Sequence, residues 1–333
     1  MSKPKFAYNL NSRTYDLCFD EETKRAIASL VDIQGEVKEK ITAKDLKANL
    51  KDAEGCITGW GSLKLTKDIL DAAPNLRIII HSAGTVKPYV TPEVWKRGIR
   101  VTSAANVNAI PVAEYNLAMI LLTLKRVFAY QHEFRERGPE AWKRPPSLRG
   151  CYRSKVGIIG MGHIGKRLLT LLQPFDLEIL IFSRHFPEEE ARKMKARKVS
   201  LEELMSTCDV VTLCAANVPR NRRMINRRML SLLKDGSVFI NTSRGALVDE
   251  DALIEELRTG RITAVLDVFQ HEPPPKGSPF YDLPNCIITP HIAGSINEEC
   301  KRLGRQALKE LKHYLTGEPF ENEVTQEMLD KIA

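Results

Sequence analysis

Apolar residues occur along this 333-residue chain in two alternating patterns. Short unbroken runs, as at residues 76–80 and 210–213, are typical of strands that are buried on both faces of a parallel sheet. Longer stretches, as at 21–31, carry apolar residues at helical spacing and predict amphipathic helices. Because the two patterns follow one another regularly, we expect an α/β fold with a doubly wound parallel sheet.

Residues 5–105 are predicted to form a first α/β unit. The expected strands are 6–8, 56–60, 76–80 and 99–102, and the expected helices are 21–31, 67–73 and 91–97. The strand ends would place Trp60 and residues 83–85 on loops, where open α/β sheets bind ligands.

A long helix is expected from Pro111 to about Arg137, with the proline in its first turn. A helix of this length exceeds what one small domain needs, so it either connects domains or carries a subunit interface. Residues 142–154 are expected to be irregular. Beyond them the predicted strands are 179–182, 210–213, 238–240 and 263–266, and the predicted helices are 201–206, 224–233, 251–258 and 298–315.

Residues 156–165, Val-Gly-Ile-Ile-Gly-Met-Gly-His-Ile-Gly, place three glycines between a predicted strand and a predicted helix. Gly160 would permit a tight turn, Gly162 would leave room for a pyrophosphate, and Gly165 would let the helix pack closely on the strand. The helix N-terminus would offer N–H groups and the positive end of its dipole to phosphates. Since this G-x-G-x-x-G spacing has the context that it requires, we favour dinucleotide binding over a purely structural turn.

The composition, with 43% hydrophobic and 28% charged residues, is that of an ordinary globular protein. The net charge of +8 is spread along the chain, so a basic surface that attracts anionic ligands is favoured over nucleic-acid binding. Seven cysteines without a C-x-x-C pair predict reduced thiols in a cytoplasmic protein, and neither disulfides nor a metal site. We find no signal segment and no apolar run of membrane-spanning length, and expect no membrane partner.

Polar residues follow three of the later strands. Arg244, beside Gly245, would place a guanidinium fork suited to a carboxylate at a strand end, although a surface ion pair explains this residue equally well. Asp267 ends the next strand, and Glu272 follows it. A lone histidine such as His291 is more often structural than catalytic. A carboxylate nearby, such as that of Glu272, would make it a usable proton carrier near neutral pH.

Four segments together resemble the signatures of the D-isomer-specific 2-hydroxyacid dehydrogenase family: residues 156–165, 241–249, 266–274 and 289–294. They occur in the family's order, and Pro-Val-Ala-Glu at 111–114 matches as well, so the resemblance covers nearly the whole chain. The family includes phosphoglycerate dehydrogenases, glyoxylate and hydroxypyruvate reductases, D-lactate dehydrogenases and formate dehydrogenases.

The resemblance implies an NAD(P)-dependent oxidoreductase that transfers a hydride between nicotinamide and a small D-2-hydroxy acid or 2-keto acid. Arg244 would hold the substrate carboxylate and polarise the C2 carbonyl. His291 would donate or accept the proton, with Glu272 as its partner. Asp267 would accept a hydrogen bond from the nicotinamide carboxamide.

The resemblance also implies a Rossmann-type cofactor domain, residues 106–290, inserted in a smaller flavodoxin-like substrate domain, residues 1–105 and 291–333. The cofactor domain would supply the interface of a homodimer, which would explain the long helix. The expected cofactor contacts are Gly160, Gly162, His163, Ile164, Gly165, Ser183, Arg184, Asn221, Thr242, Arg244, Asp267, His291 and Gly294. The expected substrate contacts are Trp60, Ala83, Gly84, Thr85, Arg244 and His291.

The end of the second cofactor-domain strand predicts which dinucleotide binds. Many family members have an aspartate there, which binds the adenosine ribose and repels a 2′-phosphate. Here Ser183, Arg184 and His185 take its place, and a guanidinium fork suits a phosphate. Arg184 stacked on adenine or directed to solvent is the alternative, and three glutamates at 188–190 weaken the positive field. NADP is therefore favoured over NAD.

Two functions remain open at this level. The first is an active oxidoreductase, and the second is a dinucleotide-sensing binding protein on the same scaffold, as in the family's transcriptional corepressor branch. The complete set of Arg244, Glu272 and His291 favours the enzyme, although the corepressor branch also keeps it. Residues 83–87, Ala-Gly-Thr-Val-Lys, depart from the sequence that relatives often show near the substrate, so the acid stays open.

Overall fold

The computed structural model describes residues 2–142 and 150–332. The chain divides into two compact units, one of Met1–Ala109 with Ser295–Lys331 and one of Ile110–Gly294. The predicted domain boundaries lie at 105 and 291, and the units of the structure change at 109 and 294. The functional roles of the two domains remain predictions.

The first unit is built on a parallel sheet with strand order β2-β1-β3-β4-β5. This order is that of flavodoxin-like sheets and confirms the expected fold class. Every residue of β3 and β4 is buried, as in a parallel sheet covered on both faces. The strands are β1 (Lys5–Asn9), β2 (Asp32–Gln34), β3 (Gly55–Thr58), β4 (Ile78–His81) and β5 (Arg100–Ser103).

Short helices connect these strands, and side-chain caps fix where several of them begin. Asn11, Asp20 and Thr42 each accept a hydrogen bond from the backbone N–H three residues ahead, at the starts of the first three helices. The helices are α1 (Ser12–Cys18), α2 (Glu21–Leu30), α3 (Ala43–Leu50), α4 (Lys67–Asp71) and α5 (Pro92–Lys96).

A histidine is buried at the carboxyl end of β4. His81 is 1% exposed, and its Nδ1 lies 2.9 Å from the hydroxyl of Thr58 at the end of β3. The His81 ring lies against that of Tyr89, with 5.1 Å between the ring centroids. Burial lowers the pKa of His81 to about 3, so the imidazole is neutral in the folded protein.

The second unit is built on a parallel sheet with strand order β12-β11-β10-β9-β6-β7-β8. The chain reverses its direction of winding between β6 and β9, as in Rossmann folds, which confirms the expected fold class. The strands are β6 (Lys155–Ile159), β7 (Glu178–Phe182), β8 (Ala196–Lys198), β9 (Val210–Leu213), β10 (Val238–Asn241), β11 (Thr263–Leu266) and β12 (Cys286–Ile288). Helix α6 (Ala105–Leu124) begins in the first unit and continues into the second at Ile110. The other helices of the second unit are α7 (Val127–Arg137), α8 (His163–Leu172), α9 (Glu188–Lys193), α10 (Leu201–Thr207), α11 (Arg227–Ser231) and α12 (Glu250–Arg258).

After Gly294 the chain returns to the first unit with α13 (Lys301–Thr316). Gly304 of α13 packs directly on the end of α1, because a Cβ at this position would lie 2.2 Å from the carbonyl oxygen of Cys18. The last segment then extends the sheet beside β5, where Ser103 N donates to Asn322 O at 3.0 Å.

The prediction of one helix from Pro111 to Arg137 is wrong in two respects. The helix begins at Ala105, so Pro111 lies inside it rather than in its first turn. It ends at Leu124, and Arg126, with a left-handed φ of 51°, separates α6 from α7. Hydrophobic spacing alone does not detect such a break, because it depends on one backbone angle. Residues 143–149 of the predicted irregular segment lie outside the described residues.

The expectation that no apolar run reaches membrane-spanning length also needs correction. By length and composition α6 could cross a membrane. In the structure Ile120 and Leu124 are buried in the core of the second unit. The same helix carries the buried Asn116, whose Nδ2 donates to Thr242 Oγ1 at 2.7 Å. The apolar residues of α6 from Ile110 onward are therefore explained by packing within the second unit.

Several short elements are absent from the prediction. β2 and β8 have three residues each and are partly exposed, so neither contains an unbroken apolar run. Among the described residues, the α-helices that were not predicted are α1, α3 and α9, which have at most eight residues.

Candidate active site

The predicted catalytic residues of the second unit follow three neighbouring strands. Arg244 lies after β10, Glu272 in the loop after β11, and His291 after β12. Because these strands are parallel and hydrogen-bonded to one another, their carboxyl ends lie at one edge of the sheet. The structure thus brings the three loops to the place where open α/β sheets bind ligands.

The Arg244 loop is fixed by its neighbours. Asn241 Nδ2 donates to Arg244 O at 3.2 Å, and the Arg244 guanidinium donates to Ser243 O at 2.6 Å. Gly245 has no room for a side chain, because a Cβ would lie 2.0 Å from the carbonyl carbon of Phe269. The loops after β10 and β11 are therefore in direct contact.

Arg244 is a half-buried cation in the field of an acid. Burial lowers the pKa of Arg244, and the charge of Glu272 acts in the opposite direction. The guanidinium stays protonated in either case. No carboxylate within the described part of the chain forms a salt bridge with Arg244. The guanidinium can therefore receive a carboxylate ligand, in accordance with the functional interpretation of this residue.

Glu272 and His291 form a hydrogen-bonded pair, with 2.7 Å between Oε2 and Nδ1. The other carboxylate oxygen, Oε1, accepts from Phe269 N at 3.0 Å, which fixes the orientation of the Glu272 side chain. The His291 side chain is 46% exposed. Since Nδ1 is engaged by Glu272, Nε2 is the ring nitrogen that can exchange a proton with a ligand.

Asp267 holds the loop on which His291 lies. His291 has a left-handed φ of 55°, and its N–H donates to Asp267 O at 3.0 Å. The Asp267 side chain, 1% exposed, accepts from Ile292 N at 2.8 Å and Ala293 N at 2.9 Å. These bonds give Asp267 a structural role. The hydrogen bond from the carboxamide that the resemblance implies stays a prediction.

The glycine turn after β6 fits a dinucleotide. Gly160 has a positive φ of 98°, and a Cβ on Gly165 would lie 2.1 Å from Gly160 O, so α8 packs closely on the turn. A Cβ on Gly162 would meet nothing within 4 Å, which leaves open space beside the N-terminus of α8. His163 and Ile164 form the first turn of this helix. These are the steric conditions that a pyrophosphate requires.

The residues at the end of β7 form a polar group with the segment after β9. Arg184 Nη1 donates to Asn221 Oδ1 at 2.7 Å, and Asn221 in turn donates to Ala216 O at 2.9 Å. Arg220 Nη2 lies 3.3 Å from His185 Nε2. The structure therefore brings the predicted contacts Arg184 and Asn221 together, and adds a second arginine that the sequence did not single out.

The predicted substrate contacts Trp60, Ala83, Gly84 and Thr85 belong to the first unit, where they follow β3 and β4. The backbone carbonyl of Trp60 accepts from Thr14 Oγ1 at 2.9 Å. Gly84 is half-buried, and a Cβ there would meet only the side-chain nitrogen of Asn108, at 3.3 Å. The participation of these residues in one site with His291 remains a prediction.

Two further residues with defined contacts were missed from the sequence. Thr289 donates to Asp267 Oδ1 at 2.6 Å, and the hydroxyl of Tyr115 lies 2.8 Å from Thr289 Oγ1. Their positions in the sequence could have indicated them, since Thr289 precedes His291 by two residues and Tyr115 directly follows the segment 111–114. Of the other predicted contacts, Thr242 directly follows β10, and Gly294 is the last residue before the chain returns to the first unit.

This arrangement has the groups that a proton-coupled reduction of a keto acid needs. A guanidinium can hold a carboxylate, an imidazole paired with a carboxylate can exchange a proton, and a glycine turn can hold a dinucleotide.

Comparison with known proteins identifies relatives along the chain. Residues 117–293 match the family model described as D-isomer specific 2-hydroxyacid dehydrogenase, NAD binding domain. The chain is 33% identical over 296 residues to glyoxylate reductase/hydroxypyruvate reductase from Homo sapiens, covering 87% of this chain and 90% of that protein. It is 32% identical over 304 residues, 89% of its length, to D-3-phosphoglycerate dehydrogenase from Methanocaldococcus jannaschii, and spans only 57% of that relative.

A solved structure has the same fold over nearly the whole chain. A phosphoglycerate oxidoreductase from Rhizobium etli is 27% identical and superposes with a TM-score of 0.80, covering 97% of this chain and 99% of that one.

Proposed function

Because this chain belongs to the D-isomer specific 2-hydroxyacid dehydrogenase family, a family of oxidoreductases, we propose that it interconverts small D-2-hydroxy acids and 2-keto acids with NAD(P). The observation that carries the proposal is the 2.7 Å hydrogen bond between Glu272 and His291, in the same unit as the half-buried Arg244. A dinucleotide sensor on this scaffold can keep the same pair, so an activity measurement has to separate the two functions.

Each residue has a defined role in the proposed reaction. Arg244 binds the substrate carboxylate through its guanidinium fork and polarises the C2 carbonyl. In reduction, Nε2 of His291 gives a proton to the carbonyl oxygen, and in oxidation it takes the hydroxyl proton. Glu272 orients the ring and stabilises its protonated form. The bound nicotinamide supplies or receives the hydride.

A panel of keto acids tests this proposal. Oxidation of NADPH and NADH is followed with glyoxylate, hydroxypyruvate, pyruvate and phenylpyruvate, and we expect turnover with at least one of them. The acid that gives the highest kcat/KM identifies the substrate class. Binding of NAD(P)H without oxidation by any acid would contradict the enzyme and support the dinucleotide-sensing alternative.

NADP is the proposed cofactor. The neutral Ser183 stands where an aspartate would repel a 2′-phosphate, and Arg184 beside it is held by Asn221. Arg220 and His185 add donors next to this position. We expect NADPH to have the higher kcat/KM in the wild type and Ser183→Asp to shift the preference toward NADH. A wild type that prefers NADH, or an aspartate variant without a shift, would contradict this assignment.

A homodimer is the proposed assembly, and a cytoplasmic location is expected from the cysteine content. The structural support for the dimer is α7, which has no buried residue although it carries Phe128, Tyr130 and Phe134. Phe134 is 46% exposed, and its ring is tilted against that of Trp142, which is 76% exposed. Apolar side chains exposed together in this way are typical of interaction sites.

A further inference from the structure

A directed chain of hydrogen bonds extends from α6 to the His291 loop. Thr289 Oγ1 donates to Asp267 Oδ1 at 2.6 Å, and the Tyr115 hydroxyl lies 2.8 Å from Thr289 Oγ1. A threonine hydroxyl has one proton to donate, and here it forms the hydrogen bond to the Asp267 carboxylate. Tyr115 must therefore be the donor to Thr289, and the order of donation is Tyr115 to Thr289 to Asp267.

Asp267 connects this series of hydrogen bonds to the backbone around His291. Its Oδ1 accepts from both Thr289 and Ile292 N, and Oδ2 accepts from Ala293 N. Since the side chain is 1% exposed, water cannot replace a donor that is removed. Loss of the Thr289 hydroxyl would therefore weaken the carboxylate's hold on the two residues that follow His291.

The backbone conformation of His291 depends on these hydrogen bonds to the Asp267 carboxylate. A left-handed φ of 55° is unfavourable for a residue with a side chain and persists only where neighbouring bonds enforce it. If the loop relaxes, the ring leaves the geometry in which Nδ1 meets Glu272 and Nε2 is available for proton transfer.

We propose that Tyr115 and Thr289 are positioning residues for His291 and act on it through Asp267. The inference rests on the proposed function, in which His291 carries the proton. Burial raises the pKa of Tyr115, and the neighbouring Asp267 charge acts in the same direction. The phenol therefore stays protonated at neutral pH and can donate the hydrogen bond to Thr289.

A first experiment needs no turnover. The Nδ1 proton shared with Glu272 should give a low-field proton NMR signal, assigned by its loss in His291→Ala. We expect this signal to broaden or vanish in Thr289→Val and in Tyr115→Phe, and to persist in Thr289→Ser, which keeps the hydroxyl. An unchanged signal in both of the first two variants would overturn the proposal. If Thr289→Val does not fold, the low-field signal of Tyr115→Phe, which keeps the ring, tests the proposal by itself.

A second experiment separates positioning from general packing. We expect kcat to fall about tenfold in Thr289→Val and about threefold in Tyr115→Phe, with the Kd for reduced cofactor nearly unchanged. Thr289→Ser should stay within about twofold of the wild type. In a His291→Ala background neither substitution should reduce the residual turnover further, because there is no ring left to position. Equal losses with and without His291 would contradict the proposal.

The two experiments also distinguish this inference from the proposed function. If the wild type reduces no acid of the panel, the enzyme proposal fails, and the low-field signal still decides whether Tyr115 and Thr289 position the ring.

Discussion

At the scale of single residues, His291 combines an enforced backbone conformation with a ring that remains accessible. Replacing it by alanine removes the proton carrier and leaves the glycine turn intact. We expect His291→Ala to bind reduced cofactor nearly as the wild type does and to lose roughly a hundredfold or more in kcat. Steady-state kinetics and a fluorescence titration with NADPH measure the two effects. His271→Ala, at an exposed histidine nearby, is the matched control, and a His291 variant that retains most turnover would exclude the proposed role.

Glu272→Gln tests the pair itself, because the amide can still form a hydrogen bond but carries no charge. The protonated ring then loses its negative partner. We expect the reduction rate to decline at lower pH than in the wild type as pH rises. A pH–rate profile that does not move would separate Glu272 from the histidine.

Arg244→Lys keeps the charge and loses the planar fork, so recognition of a carboxylate by two parallel hydrogen bonds should fail. We expect kcat/KM to fall by an amount equivalent to about 2–4 kcal/mol. Arg223→Lys is the control, since Arg223 is exposed and forms a salt bridge with Asp249. Near-normal kcat/KM in the Arg244 variant would support a purely structural arginine.

The residues of the site were predictable to different degrees. Arg244, Glu272 and His291 each follow a strand in a recognisable segment, and parallel strands bring their ends to one edge. Tyr115 and Thr289 could not be assigned, because their contact joins residues 174 positions apart and each belongs to a common residue type. The buried role of Asp267 in the His291 loop was hidden for the same reason.

At the scale of elements, two glycines of the turn between β6 and α8 are needed for different reasons, one for packing and one for cofactor binding. A methyl group on Gly165 would clash with Gly160 O, whereas one on Gly162 would enter open space. We expect Gly165→Ala to lower the Tm of the protein without cofactor. Gly162→Ala should leave that Tm nearly unchanged and weaken NADPH binding about tenfold or more, because the methyl group occupies the space for the pyrophosphate.

Thermal unfolding and a binding titration on both variants check this contrast. Equal destabilisation by the two substitutions, or unchanged cofactor affinity in Gly162→Ala, would refute it.

The elements themselves follow from the sequence where burial is complete. The central strands, such as β9 and β11, were predicted with the bounds that the structure has, because strands buried on both faces are mostly apolar. Edge strands β2 and β8 have no such constraint. The break between α6 and α7 was unpredictable because it depends on the left-handed backbone of Arg126, an arginine that nothing in its local pattern distinguishes.

At the scale of the whole molecule, the exposed apolar residues of α7 predict self-association. We expect light scattering to give twice the chain mass of 37.6 kDa. Phe134→Asp should shift the mass toward the monomer, since a charge at a dimer interface is costly. Tyr281→Asp, at another exposed aromatic side chain, should not. A concentration-independent monomer in the wild type would contradict the proposed dimer.

The neutral imidazole of His81 couples the folding of the first unit to protons. An unfolded chain binds a proton at this residue near pH 6.5, whereas the folded chain does so only near pH 3. Between these two pH values the unfolded state carries one proton more than the folded state. His81 therefore does not change the free energy of unfolding above pH 6.5, and lowers it by about 1.4 kcal/mol per pH unit as the pH falls from 6.5 toward 3. Urea unfolding at pH 7.5 and 5.5 should show this loss in the wild type and a smaller one in His81→Gln. Equal losses of the free energy of unfolding in both proteins would exclude the coupling. A smaller loss in the variant means that acidification destabilises the fold through His81, independently of proton transfer at His291.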